Sequence, residues 1–260
     1  FEFRAVGSSA NVASPMIVLN TIVADQLNQF KEEVDNLVSS EDIKKDEAIF
    51  RVLKQYIIES KDIRFEGDGY SQDWVDEAAR RGLPNITSIP GSLEAFLSPK
   101  TIELFRKNNI LNERELEARQ GIQLEHFTKR MQIEARVLGD LAMNHIIPTA
   151  IKYQNTMLQN IKELREIYPE EQYKVMAYHQ LDTVEKIARH INTIREKVVD
   201  MINARKKANQ IENEKEKAYA YHENVVSYFS DIRNHIDKLE RIVDDEMWPF
   251  PKYREMLFTR

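Results

Sequence analysis

Apolar residues recur at steps of three and four along most of the second half of the chain. Leu124, Phe127, Met131, Ala135, Leu138, Ala142, Ile146, Ala150, Tyr153, Met157, Ile161 and Leu164 form one such stripe, the period of a helix with one buried face. It ends before Pro169. Pro148 lies inside it and is expected to kink the helix, because proline offers no N–H and its ring meets the preceding turn. A second stripe runs Leu181, Val184, Ala188, Ile191, Ile194, Val198, Met201, and a third Tyr221, Val225, Tyr228, Ile232, Ile236, Leu239, Val243. Between them Arg205 to Lys217 is almost wholly polar and reads as a hairpin tip. As one helix, residues 120–247 would reach roughly 190 Å at 1.5 Å per residue. Breaks at Pro169 and near Asn209 instead predict an antiparallel three-helix bundle of long arms.

The first half is patterned in shorter pieces. Ser14-Pro15 reads as an N-cap and first helical position opening a helix to about Val38, with Ile17, Val18, Thr21, Ile22 and Leu27 favouring burial. A second helix, about Asp46 to Ser60, follows the spacing Ile49, Val52, Leu53, Tyr56, Ile57. A loop with Gly67 and Gly69 precedes a short helix from Ser71 or Gln72 to Arg81, closed by Gly82. Residues 83–100 are loop-rich, with short helices expected around Leu93–Leu97 and from Pro99 to Asn108. Asn112 looks like the cap of the next helix. The ends differ. Phe1-Glu2-Phe3-Arg4 alternates as a strand does, and Pro249 and Pro251 around Phe250 predict an extended tail whose large apolar groups must dock.

Composition narrows the possibilities. At 260 residues and 42% apolar, the chain can bury a real core in one large domain or two small ones. It has no cysteine, which excludes disulfides, thiol catalysis and cysteine-ligated metal centres and fits a reducing compartment. With 37 basic against 43 acidic residues it makes no electrostatic case for nucleic acid. The longest apolar run, Met16 to Ala24, is interrupted by Asn20 and too short to span a bilayer. No glycine follows Gly139, which argues against hairpins and phosphate-cradling loops there and for long helices.

Candidate chemistry is sparse. The six histidines (126, 145, 179, 190, 222, 235) include no His-x-x-x-His pair. The Glu-x-x-His signature of di-iron bundles fails at His126, His145 and His235, so they read as core or interhelix histidines bonded to a neighbour. Arg205-Lys206-Lys207 is followed by Glu212, Glu214 and Glu216, a mixed-sign solvated tip rather than a basic patch. Gly67-Asp68-Gly69 lacks the lysine and the strand–loop–helix setting of a phosphate loop and reads as a tight turn. Glu2 and Arg4, on one face of the expected strand, read by themselves as a surface ion pair.

Phe1-Glu2-Phe3-Arg4, the turn Ala5-Val6-Gly7-Ser8-Ser9-Ala10-Asn11 and the helix Pro15 to Asp25 resemble the end of the glutamine synthetase catalytic domain. Val6-Gly7-Ser8-Ser9 and Ile17-Val18-Leu19-Asn20-Thr21-Ile22-Val23-Ala24 look like its large type III branch. Arg64-Phe65-Glu66-Gly67-Asp68-Gly69-Tyr70-Ser71, Trp74, Glu77-Ala78-Ala79 and Arg81-Gly82-Leu83 are similar to that branch's C-terminal extension. So are Glu115, Arg119, Glu125 and the closing Trp248-Pro249-Phe250-Pro251-Lys252-Tyr253-Arg254-Glu255.

The resemblance implies ATP-dependent ligation of glutamate and ammonia through a γ-glutamyl phosphate, with Mg²⁺ or Mn²⁺, in a cytoplasmic ring-shaped homo-oligomer stacked as a dodecamer. By position, Glu2 matches a metal-ligand carboxylate and Arg4 an arginine gripping an anionic substrate group. The family's other metal ligands would lie before Phe1, and a lone carboxylate cannot hold a catalytic Mg²⁺. The expectation is therefore a mainly α C-terminal piece of the enzyme, inactive alone, with no tightly bound cofactor and no nucleic-acid or membrane partner. Its own role is expected to be structural. The segments expected are residues 1–40 (last strand and helix of the catalytic domain), 41–119 (short helices and loops), 120–247 (long-helix bundle) and 248–260 (extended tail). The alternative is a stand-alone helical interaction or regulatory module.

Overall fold

The computed structural model describes residues 11–258, and among them every regular element is helical. The expected strand at Phe1–Arg4 lies outside the described residues. The chain divides into two compact units, Phe1–Gln120 and Gly121–Arg260.

In the first unit, α1 (Ala13–Glu41) and α2 (Lys45–Glu59) form a helical hairpin. Val34, Ala48 and Val52 are buried between them, with Phe30, Leu37, Val38, Ile43, Ile49 and Tyr56 packed around. Tyr56 stands edge-on to Phe30 and donates its hydroxyl to Glu33 at 2.9 Å. α1 begins earlier than the Ser14-Pro15 signal placed it. Asn11 accepts from the Ala13 N–H at 2.8 Å, so Ser14 and Pro15 fall within the first turn, where proline's missing donor costs nothing. Ile22, Leu27, Leu53 and Ile57, expected in the core, are exposed. A two-helix pair covers only one face of each partner, and these residues lie on the other.

Three short helices follow: α3 (Gln72–Arg80), α4 (Ile89–Leu93, prolonged by a tighter turn over Glu94–Leu97) and α5 (Pro99–Lys107). Ser71, Ser88 and Ser98 each cap one by accepting a backbone N–H three residues on. α3 ends on Gly82 at φ +74, with the Leu83 N–H returning to the Ala78 carbonyl and that of Gly82 to Ala79, a Schellman closure that favours glycine. α5 ends likewise on Asn109. Asp25 of α1 holds α5 by accepting from Asn108 and Lys107, each at 3.0 Å.

α6 (Glu113–Asp140) opens on a reciprocal capping box. Asn112 accepts from the Glu115 N–H, and Glu115 accepts from that of Asn112. In the second unit α6 leads through a wide π turn, Leu141–Ile146, into α7 (Ile147–Ile167). This turn stands where a proline kink was expected. Pro148 lacks the N–H and crowds the carbonyl of the preceding turn, and a wider turn relieves both.

α8 (Glu170–Ala208) runs back antiparallel and packs against α7 on one side and α10 (Ser227–Ile242) on the other. α9 (Glu214–Asn224) lies between α8 and α10 in the chain, and the short link before it supplies the hairpin tip. The bundle is thus the three-stripe arrangement, with two differences. The third stripe is broken near Val225, and Leu181 at the start of the second is exposed. Ile187, Ile194, Val198, Tyr221, Val225, Ile232 and Leu239 are fully enclosed. Beyond α10 the tail turns over Asp245–Met247, bends at Pro249 and Phe250, and then forms one helical turn, α11 (Tyr253–Met256), where an extended segment was expected.

Candidate functional site

The loop after α2 and helix α3 build a compact knot of aromatic and charged groups in the first unit. Phe65 stacks on Trp74 with ring centroids 4.2 Å apart. The Arg81 guanidinium lies 5.7 Å from the centre of the Trp74 ring. Arg81 also donates to the backbone carbonyls of Arg64 at 2.8 Å and Asp62 at 3.2 Å, sewing the loop to the helix. Glu77 receives two bonds from Arg80, at 2.6 and 2.7 Å, and a third from Arg81 at 2.5 Å. Those guanidinium bonds, Arg80's first and then Arg81's, hold the Glu77 carboxyl down to about 2. A Cβ at Gly67 would run into the Phe65 ring as it lies here.

An open cleft of about 660 Å³ lies beside this knot, lined by Lys61, Asp62, Arg64, Glu66, Glu77, Arg80 and Arg81. Its cations are largely committed. Arg64 donates to the Ile57 carbonyl at 2.7 Å, and Arg80 and Arg81 are bound as above. Such an arrangement braces a loop; it presents no nucleophile with an activating base.

In the second unit the tail closes on the bundle. Trp248 is buried, and Phe250 meets the ring of His145 on the π turn at 5.8 Å. Lys252 donates to the carbonyls of Glu240 at 2.6 Å and Val243 at 3.2 Å, pairs with Asp245, and lies 5.9 Å from the Trp248 ring centre. A cation on the last carbonyls of α10 satisfies acceptors that the helix leaves open and suits the negative end of its dipole. At the hairpin tip, buried Tyr221 donates to Asn209 at 2.6 Å, and Asn209 also accepts from Gln132 at 3.2 Å.

Glu2 and Arg4 lie outside the described residues. Of the other motif residues, Glu115 serves the α6 cap, Glu125 pairs with Lys129 at 2.6 Å, and Arg119 is an exposed residue of the same helix. Lys129 beside it lowers the Glu125 carboxyl. Among the described residues no three His, Asp or Glu side chains are grouped to hold a metal ion. These residues do not fit a catalytic Mg²⁺, which needs several oxygen ligands. His190 Nδ1 lies 2.8 Å from His235 Nδ1; the sequence reading took His235 for a core or interhelix histidine without its partner, and the pairing of Tyr221 with Asn209 escaped it too. Each joins residues of separate segments that no local motif marks.

Residues 48–165 match the family model for the glutamine synthetase C-terminal domain. Every residue of the chain aligns, 52% identical, with a glutamine synthetase of Bacteroides fragilis (strain YCH46). Residues 48–165 belong to the glutamine synthetase C-terminal domain family. The chain is also 35% identical over its whole length to a type-3 glutamine synthetase of Dictyostelium discoideum, and 24% identical over 99% of its length to a glutamine synthetase of Butyrivibrio fibrisolvens. It spans 36%, 35% and 36% of these three proteins respectively, about a third of each. The stretch matched by the family model holds the Phe65–Trp74–Arg81 knot and runs through the π turn into α7. No helix among the described residues is long and apolar enough to cross a membrane.

Proposed function

We propose that the chain is the C-terminal portion of an ATP-dependent glutamate–ammonia ligase, forming glutamine through a γ-glutamyl phosphate, and that its own work there is structural. The observation that carries this is the 52% identity to a glutamine synthetase along every residue of the chain, which nevertheless spans 36% of that protein. The parent enzyme uses ATP and Mg²⁺ or Mn²⁺ in the cytoplasm. Glu2 contributes one carboxylate to the metal and Arg4 contacts the anionic substrate or phosphate. The chain alone lacks the remaining ligands and makes no glutamine.

Its helices support subunit packing in a ring-shaped homo-oligomer, a dodecamer by family resemblance. Two features favour that role. The motif residues of residues 64–83 and of the tail are spent on braces, not on a ligand. Apolar side chains also stand exposed on α1 (Met16, Val23, Leu27) and α2 (Phe50, Leu53, Ile57), more than a self-contained helical pair needs. The test is deletion of residues 247–260 from the longer gene product that carries this chain. Loss of assembled mass in analytical ultracentrifugation and a lowered melting temperature are expected; unchanged assembly and stability would overturn the structural role.

A further inference from the structure

His190 on α8 and His235 on α10 face one another across the bundle, Nδ1 to Nδ1 at 2.8 Å, with ring centroids 5.0 Å apart. Both rings are half-buried, between enclosed neighbours Ile187, Ile194 and Ile232. A contact of this length between two ring nitrogens needs one proton between them. One ring therefore donates Nδ1–H, and the other offers a bare Nδ1 and carries its hydrogen on Nε2. Zinc held tetrahedrally at its usual Zn–N length would set two ligand nitrogens ~3.3 Å apart, so the spacing suits a proton.

Proton counting separates three states. With no added proton the bond is neutral. One added proton settles on Nε2 of the donating ring and leaves an imidazolium donating to an imidazole, so the bond survives. A second fills the accepting Nδ1, sets two N–H groups head to head and places two positive rings in contact. The charged groups acting on the pair come from its own two helices: Lys197 of α8, and Lys238 and Asp231 of α10. Two of the three oppose further protonation.

We propose that His190 and His235 form an acid-sensitive latch on the α8–α10 contact, closed with zero or one added proton and forced open by two. Burial, the larger cause at both rings, depresses their pKa values below the ordinary histidine value. His235 and Lys238 add to this at His190, and Lys238 and Lys197 at His235, against Asp231. The unfolded chain, titrating at the ordinary value, takes up protons first as pH falls. The latch thus contributes fully above that value, and its contribution is lost as pH drops through the depressed folded values.

The test is ¹⁵N NMR of the imidazoles in the 260-residue chain from pH 8 to 4.5, with melting temperatures across the same range. One ring in the Nδ1–H tautomer, one in the Nε2–H tautomer and both titrating below the ordinary value are expected. The acid-induced fall in melting temperature should shrink by about half in the His190→Leu/His235→Leu double variant. His235→Asn keeps a hydrogen-bonding partner for His190 and covers the case in which the double variant does not fold; it should show a smaller reduction, because His190 still titrates. Two independent Nε2–H rings titrating at the ordinary value, or an unchanged acid response in the variants, would overturn the latch. Saturable movement of both ring signals by one equivalent of Zn²⁺ would overturn it too, in favour of a metal pair.

Discussion

Phe65 lies almost flat on Trp74, with centroids 4.2 Å apart and planes 26° from parallel, and the far end of its ring fills the place that a Cβ at Gly67 would take. The loop and α3 are thereby joined through an aromatic stack capped by Arg81. Gly67→Ala should push Phe65 off the tryptophan and cost about 1 kcal/mol, the worth of such a pair beyond its buried area. Trp74 fluorescence and chemical denaturation of the chain read both effects. An unshifted emission maximum with unchanged stability would show that the loop adapts without the stack.

Glu77 gives the knot a pH dependence of known sign. Its folded pKa, about 2, is below that of an unfolded glutamate, so its stabilisation is present above the ordinary carboxylate range and is lost as pH falls toward 2. Glu77→Gln should lower the melting temperature at pH 7 and leave it closer to that of the parent chain near pH 3. A constant gap at both pH values would remove charge from the explanation.

Lys252 and Trp248 separate the two halves of the tail clasp. Lys252→Met keeps most of the packing but leaves the Glu240 and Val243 carbonyls without their cation, for an expected loss of about 1 kcal/mol. Trp248→Ala empties a buried site and should cost about 3 kcal/mol. Urea denaturation gives the order, and an equal or reversed order would show that the capping cation, not the indole, anchors the tail.

Tyr221→Phe should cost about 1 kcal/mol, because the enclosed hydroxyl donates to the exposed Asn209 and that bond is lost with it. A fall of ~2–4 °C in melting temperature is the expected reading.

Much of the bundle was legible in the sequence because helical period and burial are the same fact seen twice. Leu124, Phe127, Ala135, Ala142, Ile146, Ala150 and Ile161 are all buried on one line. Even the π turn left a trace, in three successive steps of four from Leu138 through Ala142 and Ile146 to Ala150, wider than the 3.6 of an α-helix. Ser71, Gly82 and Asn112 marked their helix ends because capping is local chemistry. Ile22, Leu27, Leu53 and Ile57 misled because period says which residues share a face, not whether anything covers it. Of the candidate sites, Glu2 and Arg4 fall outside the described residues. The contacts that organise the rest join residues far apart in sequence, as His190 with His235 or Phe250 with His145, and no spacing rule reaches them.

We propose that this chain is a structural part of a glutamine-forming ligase, without activity of its own. Glutamine formation from glutamate, ammonia and ATP with Mg²⁺ measures it most directly, assayed on the 260-residue chain beside the longer gene product that contains it. Turnover by the longer product and none by the chain are expected. Glutamine made by the chain alone, or none made by the longer product, would contradict it.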